Sequence, residues 1–110
     1  MLRIPRDDAL DVIASTVLEV DGEPRIQIQL GRPRLAPDPS CWFCPYEIVD
    51  TSKARRSYAY GEDAMQALVL TLYKISVEIE TCEYNEQGRL SWLGDFKDFG
   101  FPSIPIRPAL

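Results

Sequence analysis

The first third of the chain alternates apolar and polar residues as half-buried strands do. Residues 10–20 carry one apolar face, made of Leu10, Val12, Ala14, Leu18 and Val20. Asp21-Gly22 follows, a dipeptide that tolerates the positive φ angles of a tight hairpin turn. Residues 24–31 then alternate again, with Ile26, Ile28 and Leu30 on one side. These features predict two antiparallel strands joined as a hairpin.

Two more strands are predicted after a loop. Residues 31–40 contain three prolines, and proline cannot donate a hydrogen bond to a sheet ladder, so this segment is expected to be a loop. Residues 42–49 resume the alternation, with one face made of Trp42, Cys44, Tyr46 and Ile48. A turn is expected at residues 51–53. Residues 55–60 are predicted as the fourth strand, with Tyr58 and Tyr60 pointing inward.

Beyond Gly61 the apolar period lengthens to that of a helix. Asp63 is a suitable N-cap residue, and Gln66 stands three places later, as in a capping box. The helix is predicted from about residue 64 to about residue 81. The stripe expected to face the core comprises Ala64, Leu68, Leu72, Ile75 and Ile79.

The remaining residues complete a predicted single domain over residues 1–110. Residues 90–93 are expected to form a fifth short strand, and the proline-rich segment of about 95–110 an extended tail laid over the body. Short links between the four main strands favour an antiparallel meander. The fold class is therefore predicted to be α+β, a two-layer domain whose four- to five-stranded sheet is covered by one long helix.

Charge and composition narrow the range of functions. The 110 residues carry a formal charge of −5 and no histidine, so the usual general base and the commonest zinc ligand are missing. An acidic chain disfavours binding to nucleic acid. Three cysteines fit no closed disulfide set, and no stretch has the length and apolarity of a signal peptide or membrane span. We expect a cytoplasmic protein with no cofactor and no membrane partner.

Cys41 and Cys44 form the only motif that suggests chemistry, CWFC at residues 41–44. A structural zinc site needs four ligands, and a thioredoxin-like pair needs its first cysteine at a helix N-terminus. Here the pair is followed by Pro45 and a strand pattern. We interpret Cys44 as a small buried apolar residue and Cys41 as a loop-edge residue, with redox or zinc use of the pair as an alternative.

A second apolar stripe runs along the other side of the predicted helix. It comprises Val69, Leu70, Tyr73 and Val77. A helix packed on the sheet of a monomer should carry charged residues there. Two explanations remain open: the C-terminal tail covers this stripe through residues such as Phe96, Phe99, Phe101, Ile104 and Ile106, or it is an interface, most simply of a twofold homodimer.

Other polar groups in the sequence indicate no reactive centre. Lys53, Arg55 and Arg56 are interpreted as a solvated turn, and the carboxylates as solubilising charges. Ser91 has no histidine to activate it. We therefore predict that the protein is not an enzyme.

Three segments, CPYEI, RRSYAYGEDAMQAL and GRLSWLGDFKDFGFP, resemble a family of small bacterial proteins that carries a domain-of-unknown-function label. The shared positions are Cys44, Pro45, Gly61, Asp63, Gln66 and Trp92. The family pattern has no cysteine at the position of Cys41. The resemblance spans most of residues 10–102 and implies a bacterial cytosolic protein without a catalytic role.

The leading hypothesis is a protein-interaction module, for example an immunity- or antitoxin-like protein whose acidic surface blocks a basic partner. The alternative is a homodimer that binds a small apolar molecule near Trp42, Tyr58 and Trp92. A redox or zinc protein using Cys41 and Cys44 is the third hypothesis. The first two place the function on surfaces or grooves rather than on reactive side chains.

Overall fold

Four nine-residue strands and one seventeen-residue helix dominate the computed structural model, which describes residues 10–38 and 40–102. In chain order the elements are β1 (Val12–Val20), β2 (Glu23–Gly31), β3 (Arg34–Leu35), β4 (Trp42–Asp50), β5 (Lys53–Gly61), α1 (Ala64–Glu80), α2 (Glu83–Glu86) and β6 (Leu90–Ser91). The six strands form one sheet, and α1 packs against β4 and β5, which confirms the predicted α+β class.

The sheet is an antiparallel meander in the order β6, β1, β2, β4, β5. β3 pairs with the same edge of β4 as β2 does, because β5 occupies the whole opposite edge. The Asp21-Gly22 turn forms as predicted, with φ angles of 55° and 80°. The second hairpin turn places Thr51, a β-branched residue, at a φ of 58°.

The predicted apolar face of β1 is only half right. Leu18 and Val20 are buried, whereas Val12 is 45% exposed and Ala14 is exposed as well. The pairing of β1 with β2 shifts register between Val12 and Ala14, which disrupts the alternation. Because α1 lies over β4 and β5, this end of β1 also has no helix above it.

The prediction that Tyr58 and Tyr60 point inward is wrong. In the register of β4 with β5, Tyr58 lies opposite Pro45 and Tyr60 opposite Phe43, while Ser57 lies opposite the helix-facing Tyr46. Paired residues share a face of the sheet, so both tyrosines lie on the far face, where α1 reaches Tyr58 through the Lys74 ammonium, 5.7 Å from its ring centroid. There the Tyr58 ring packs edge-on against Phe43 and Tyr60.

The start of α1 follows the prediction closely. The Asp63 side chain accepts a hydrogen bond of 2.8 Å from the Gln66 backbone N–H. The Gln66 side chain accepts from the Glu62 backbone N–H at 2.6 Å, one residue before the position that a standard capping box uses. Gly61 is required because a Cβ there would overlap the backbone of Ala67.

The rotation of α1 differs from the predicted core stripe. Ala67, Thr71 and Ile75 are fully buried, whereas Leu68 and Leu72 are only partly buried. The Thr71 hydroxyl donates a 2.8 Å hydrogen bond to the Cys44 carbonyl oxygen, which turns this polar residue toward the sheet. The absence of a side chain at Gly61 lets the backbone of α1 at Ala67 approach the end of β5.

The segment after α2 covers the half of the sheet that α1 leaves open. β6 pairs with Glu19 and Val20 of β1, and its buried Ser91 donates to the Glu19 carboxylate at 2.9 Å. Phe99 is buried in the core and Phe101 packs against it. The predicted tail thus lies over the body as far as Pro102; Ile104 and Ile106 lie outside the described residues.

Candidate functional site

The outward side of α1 is mostly apolar, with Gln66 and Glu80 as exposed polar residues. Val69 is 36% exposed, Leu70 42% and Val77 53%, and Tyr73 is half-buried. Met65, four residues before Val69 and 70% exposed, extends the same side. We call these five residues, Met65, Val69, Leu70, Tyr73 and Val77, the outer stripe. Met65 was missed in the sequence, although its i, i+4 spacing to Val69 was a usable signal.

The described part of the tail does not lie over the outer stripe. Phe99 and Phe101 instead line a cavity with Ser76 and Ile79 of α1. Phe96 is 53% exposed rather than packed on the helix. Through Pro102, therefore, the tail lies elsewhere and Val69, Leu70 and Val77 stay exposed.

Two of the three charged residues of α1, Lys74 and Glu78, bind the sheet, whereas Glu80 at the end of the helix is exposed. Lys74 donates to the Ser57 hydroxyl at 2.9 Å and to the Tyr58 carbonyl oxygen at 2.8 Å, both on β5. Glu78 pairs with Arg55 of β5 at 2.7 Å and accepts a hydrogen bond from the Tyr46 hydroxyl of β4. From Ala64 to Tyr73 the helix has no Asp, Glu, Lys or Arg. A surface helix usually carries its charged residues on the side that faces solvent, whereas Lys74 and Glu78 are bonded to the sheet.

Tyr46 is fully buried beneath Glu78. Burial disfavours its charged form, and the neighbouring carboxylate adds to this effect, so the pKa of Tyr46 is raised well above its ordinary value of 10.0. The hydroxyl is therefore a donor held in place by Glu78. Its role is structural, because it joins the sheet to the helix.

The three residues predicted to line one pocket are not brought together. Trp42 packs against the core on the helix side of the sheet, whereas Tyr58 lies on the far face. Trp92 is near neither strand position, since it follows β6 and its ring contacts Gly100. Sequence alternation established the spacing of these aromatic residues but not which face of the sheet each strand presents.

Two cavities do lie between the helix and the sheet. The first, of about 240 Å³, has Trp92, Phe99 and Phe101 on its walls, and we call it the aromatic cavity. Thr16 and Ile28 of the sheet and Ile75 of α1 complete it. Of the three aromatic residues predicted to form a pocket, Trp92 is the one on this wall.

The second, of about 250 Å³, has an apolar floor and a charged entrance, and we call it the charged-rim cavity. Its floor consists of Leu18, Ile26, Ile48, Ile79 and Leu90. Four charged residues stand at its rim: Asp50, Lys53, Arg55 and Glu78. Cys82, the residue before α2, also lines it. No feature of the sequence indicated this cavity, because its walls come from five strands, from α1 and from Cys82 between the two helices.

A cluster of stacked side chains around Tyr84 holds Asp50 at the rim of this cavity. The Tyr84 ring lies between Arg25 and Arg89, whose guanidinium carbons are 5.2 Å and 5.4 Å from its centroid. The Tyr84 hydroxyl donates to Asp50 at 2.8 Å, and Arg25 donates to the same carboxylate at 2.9 Å. Arg89 also pairs with Asp21 at 2.6 Å. The cluster anchors the α2 segment to both hairpin turns.

The two cysteines of CWFC point in different directions. Cys44 is fully buried on the helix side, where its thiol donates to the Gly31 carbonyl oxygen at 3.4 Å. Burial raises the pKa of Cys44, with a smaller opposing effect from Thr71. Cys41 lies near Tyr60 of the far face, whose pKa is raised to about 12 by burial, by Tyr58 and, least, by Cys41. All three cysteines are free thiols.

Within residues 10–38 and 40–102, no group of three or more Cys, Asp or Glu side chains is placed to hold a metal ion. In the same described part, no helix has the length and apolarity needed to cross a bilayer.

Comparison with known proteins identifies one relationship. Residues 14–103 match the family described as Domain of unknown function (DUF6968). Neither a curated protein nor a solved structure gives a match.

Proposed function

The chain belongs to the DUF6968 family, and we propose that it is a non-catalytic protein-interaction module that pairs with a second copy of itself through the outer stripe. The exposed apolar side of α1 carries this proposal. Met65 and Val77 expose more than half of their surface, at 70% and 53%. Apolar surface of this kind on a helix is stabilised when a partner removes it from water.

Lys74 and Glu78 strengthen the argument because their charged groups are bonded to the sheet. Either could have given α1 a solvated outer face, yet both are held by β4 and β5. Buried polar groups elsewhere also serve structural hydrogen bonds, as Thr71 and Ser91 do. The polar side chains therefore position the helix, and the apolar ones are left to make contacts.

A second copy fits the outer stripe better than a basic protein does. A basic partner needs acidic groups to pair with, and residues 64–73 offer none. A twofold axis instead brings two identical uncharged apolar surfaces together. The contact needs no charge complement from molecules that each carry −5.

Light scattering at several concentrations and salt levels tests the proposal. We expect the mass to rise from monomer to dimer with concentration, and the dimer to tighten as salt screens the repulsion between two acidic molecules. A monomeric mass at every concentration and salt level would contradict it. A dimer that weakens with salt would show that ion pairs, not the outer stripe, hold it together.

The immunity- or antitoxin-like version of the module gains less support. It requires an acidic surface that is free to meet a basic partner. Asp21, Glu47, Asp50 and Glu78 are each paired with an arginine of the same chain. A reducing, cytoplasmic setting is retained in the proposal and is supported by the three free thiols.

Binding of a small apolar molecule is the second candidate function, and the two cavities between helix and sheet favour it. Their volumes of about 250 Å³ and 240 Å³ suit a ligand of modest size. A thermal-shift screen tests this function, since a ligand that binds the folded state raises the melting temperature.

A further inference from the structure

We propose that the charged-rim cavity binds a short straight-chain carboxylate, with the chain on the apolar floor and the carboxylate beside Lys53. This inference rests on the second candidate function and names its site and ligand class. The floor consists entirely of aliphatic side chains, with Ile26 and Ile48 from the sheet facing Ile79 of α1. Such a surface accepts methylene groups and offers them no hydrogen bonds.

The charges at the rim determine which polar group the ligand should carry. Asp50 is already bound by Arg25 and Tyr84, and Glu78 by Arg55 and Tyr46. Lys53 is the exception: within the described residues its ammonium has no ion-pair or hydrogen-bond partner. The rim therefore presents one uncompensated positive charge, which suits an anion and disfavours an amine.

The volume of the cavity limits the length of the ligand's alkyl chain. Its volume of about 250 Å³ holds about eight heavy atoms if each takes the ~30 Å³ that one water occupies in the liquid. Octanoate is the matching probe, because its eight carbons fill this volume while its two carboxylate oxygens stay at the rim beside Lys53. Each methylene added between hexanoate and octanoate should raise the affinity about threefold to fourfold.

Isothermal titration calorimetry with octanoate tests whether the positive charge of Lys53 contributes to binding. Lys53→Glu replaces the attraction with repulsion and should weaken octanoate binding about tenfold. Lys97→Glu makes the same change at another exposed lysine, on the tail, and should leave the affinity unchanged. Octan-1-ol serves as the uncharged ligand and should bind less tightly than octanoate to the unmodified protein.

Alkylation of the cysteines by iodoacetamide, followed by peptide mass spectrometry, tests where on the protein octanoate binds. Cys82 lines the charged-rim cavity, whereas Cys41 is equally half-buried on the other side of the sheet. Saturating octanoate should slow the alkylation of Cys82 and leave the rate at Cys41 unchanged. The comparison is internal to one sample, so it does not depend on whether a variant folds.

The outcomes separate this inference from the function on which it rests. Selective protection of Cys82, with the loss of affinity confined to Lys53→Glu, supports the proposal. If octan-1-ol binds as tightly as octanoate and Lys53→Glu has no effect, the carboxylate assignment is overturned while small-molecule binding stands. If octanoate binds without protecting Cys82, the site is wrong. If neither probe binds, the inference fails together with small-molecule binding in this cavity.

Discussion

Glu78 of α1 accepts a hydrogen bond from the buried hydroxyl of Tyr46 on β4. Through this contact one of the few carboxylates on the helix faces the sheet rather than water. Arg55 completes the arrangement from β5. The side of α1 that faces solvent is consequently apolar at the outer stripe, with Gln66 and Glu80 as exposed polar residues, and the proposed dimer depends on this orientation.

Replacement of Tyr46 by phenylalanine should lower the free energy of unfolding by about 1–2 kcal/mol, because Glu78 keeps its partly buried carboxylate but loses a donor. Urea denaturation monitored by circular dichroism measures the change. Tyr73→Phe, on the outer stripe of the same helix, is the matched control and should stay within about 0.5 kcal/mol of the parent protein. Equal effects of the two substitutions would contradict the structural role of Tyr46.

Gly61→Ala should destabilise the protein by about 2–3 kcal/mol or prevent folding, because the added Cβ overlaps the backbone of Ala67. Gly88→Ala provides the comparison. Gly88 has a φ of 71° and open space around it, so its replacement should cost only the backbone strain, about 1 kcal/mol. Thermal unfolding of both variants checks the difference, and a smaller loss at Gly61 than at Gly88 would refute the close contact.

Leu93→Asn should raise the melting temperature. Leu93 is 79% exposed and has a φ of 49°, a left-handed conformation that asparagine adopts at lower cost than leucine. Little burial is lost, so the expected gain in stability is about 0.5–1 kcal/mol. Differential scanning calorimetry measures it. A decrease in melting temperature would mean that the Leu93 side chain makes a stabilising contact.

Acid should destabilise the fold through the carboxylates of the Tyr84 cluster. The hydrogen bond from Arg89 lowers the pKa of Asp21 below its ordinary value of 3.8. For Asp50, burial raises the pKa, but hydrogen bonds from Arg25, Tyr84 and Thr51 outweigh it and lower the pKa overall. The unfolded chain thus binds protons first, so this contribution is present above about pH 4 and is lost as the pH falls through the lower folded values.

Urea midpoints at pH 7 and pH 3 measure this effect. Asp50→Asn should reduce the difference between the two midpoints, because asparagine does not titrate and therefore cannot contribute to the pH dependence of stability. Glu86→Gln, at the exposed end of α2, serves as the control and should preserve the difference. An unchanged difference in Asp50→Asn would show that Asp50 takes no part in the acid response.

Local chemistry explains which parts of the fold were predictable. Asp21-Gly22 and Asp63 act within a few residues of themselves, so the first hairpin and the start of α1 follow directly from the sequence. The rotation of α1 depends on Thr71 meeting the Cys44 carbonyl oxygen, 27 positions away. Apolar spacing alone favoured Leu68 and Leu72 for the core, because it contains no information about that hydrogen bond.

The candidate sites also differ in how far the sequence could predict them. The outer stripe is a helical repeat within one element, and four of its five residues were identified from their spacing. The charged-rim cavity has walls from elements distant in sequence. The Tyr84 cluster, which holds Asp50 at the rim of this cavity, joins residues as far apart as Asp21 and Arg89, 68 positions away. Such sites depend on strand order and on which face each strand presents, as the placement of Tyr58 on the far face shows.

Sedimentation velocity on Val69→Glu tests the dimer most directly, with Leu35→Glu as the matched control at another exposed apolar residue, 50% exposed on β3. We predict that the parent protein and Leu35→Glu sediment as dimers, while Val69→Glu sediments as a folded monomer because it places a charge in each half of an apolar contact. A dimer that persists in Val69→Glu, or a parent protein that is monomeric under the same conditions, would contradict the account.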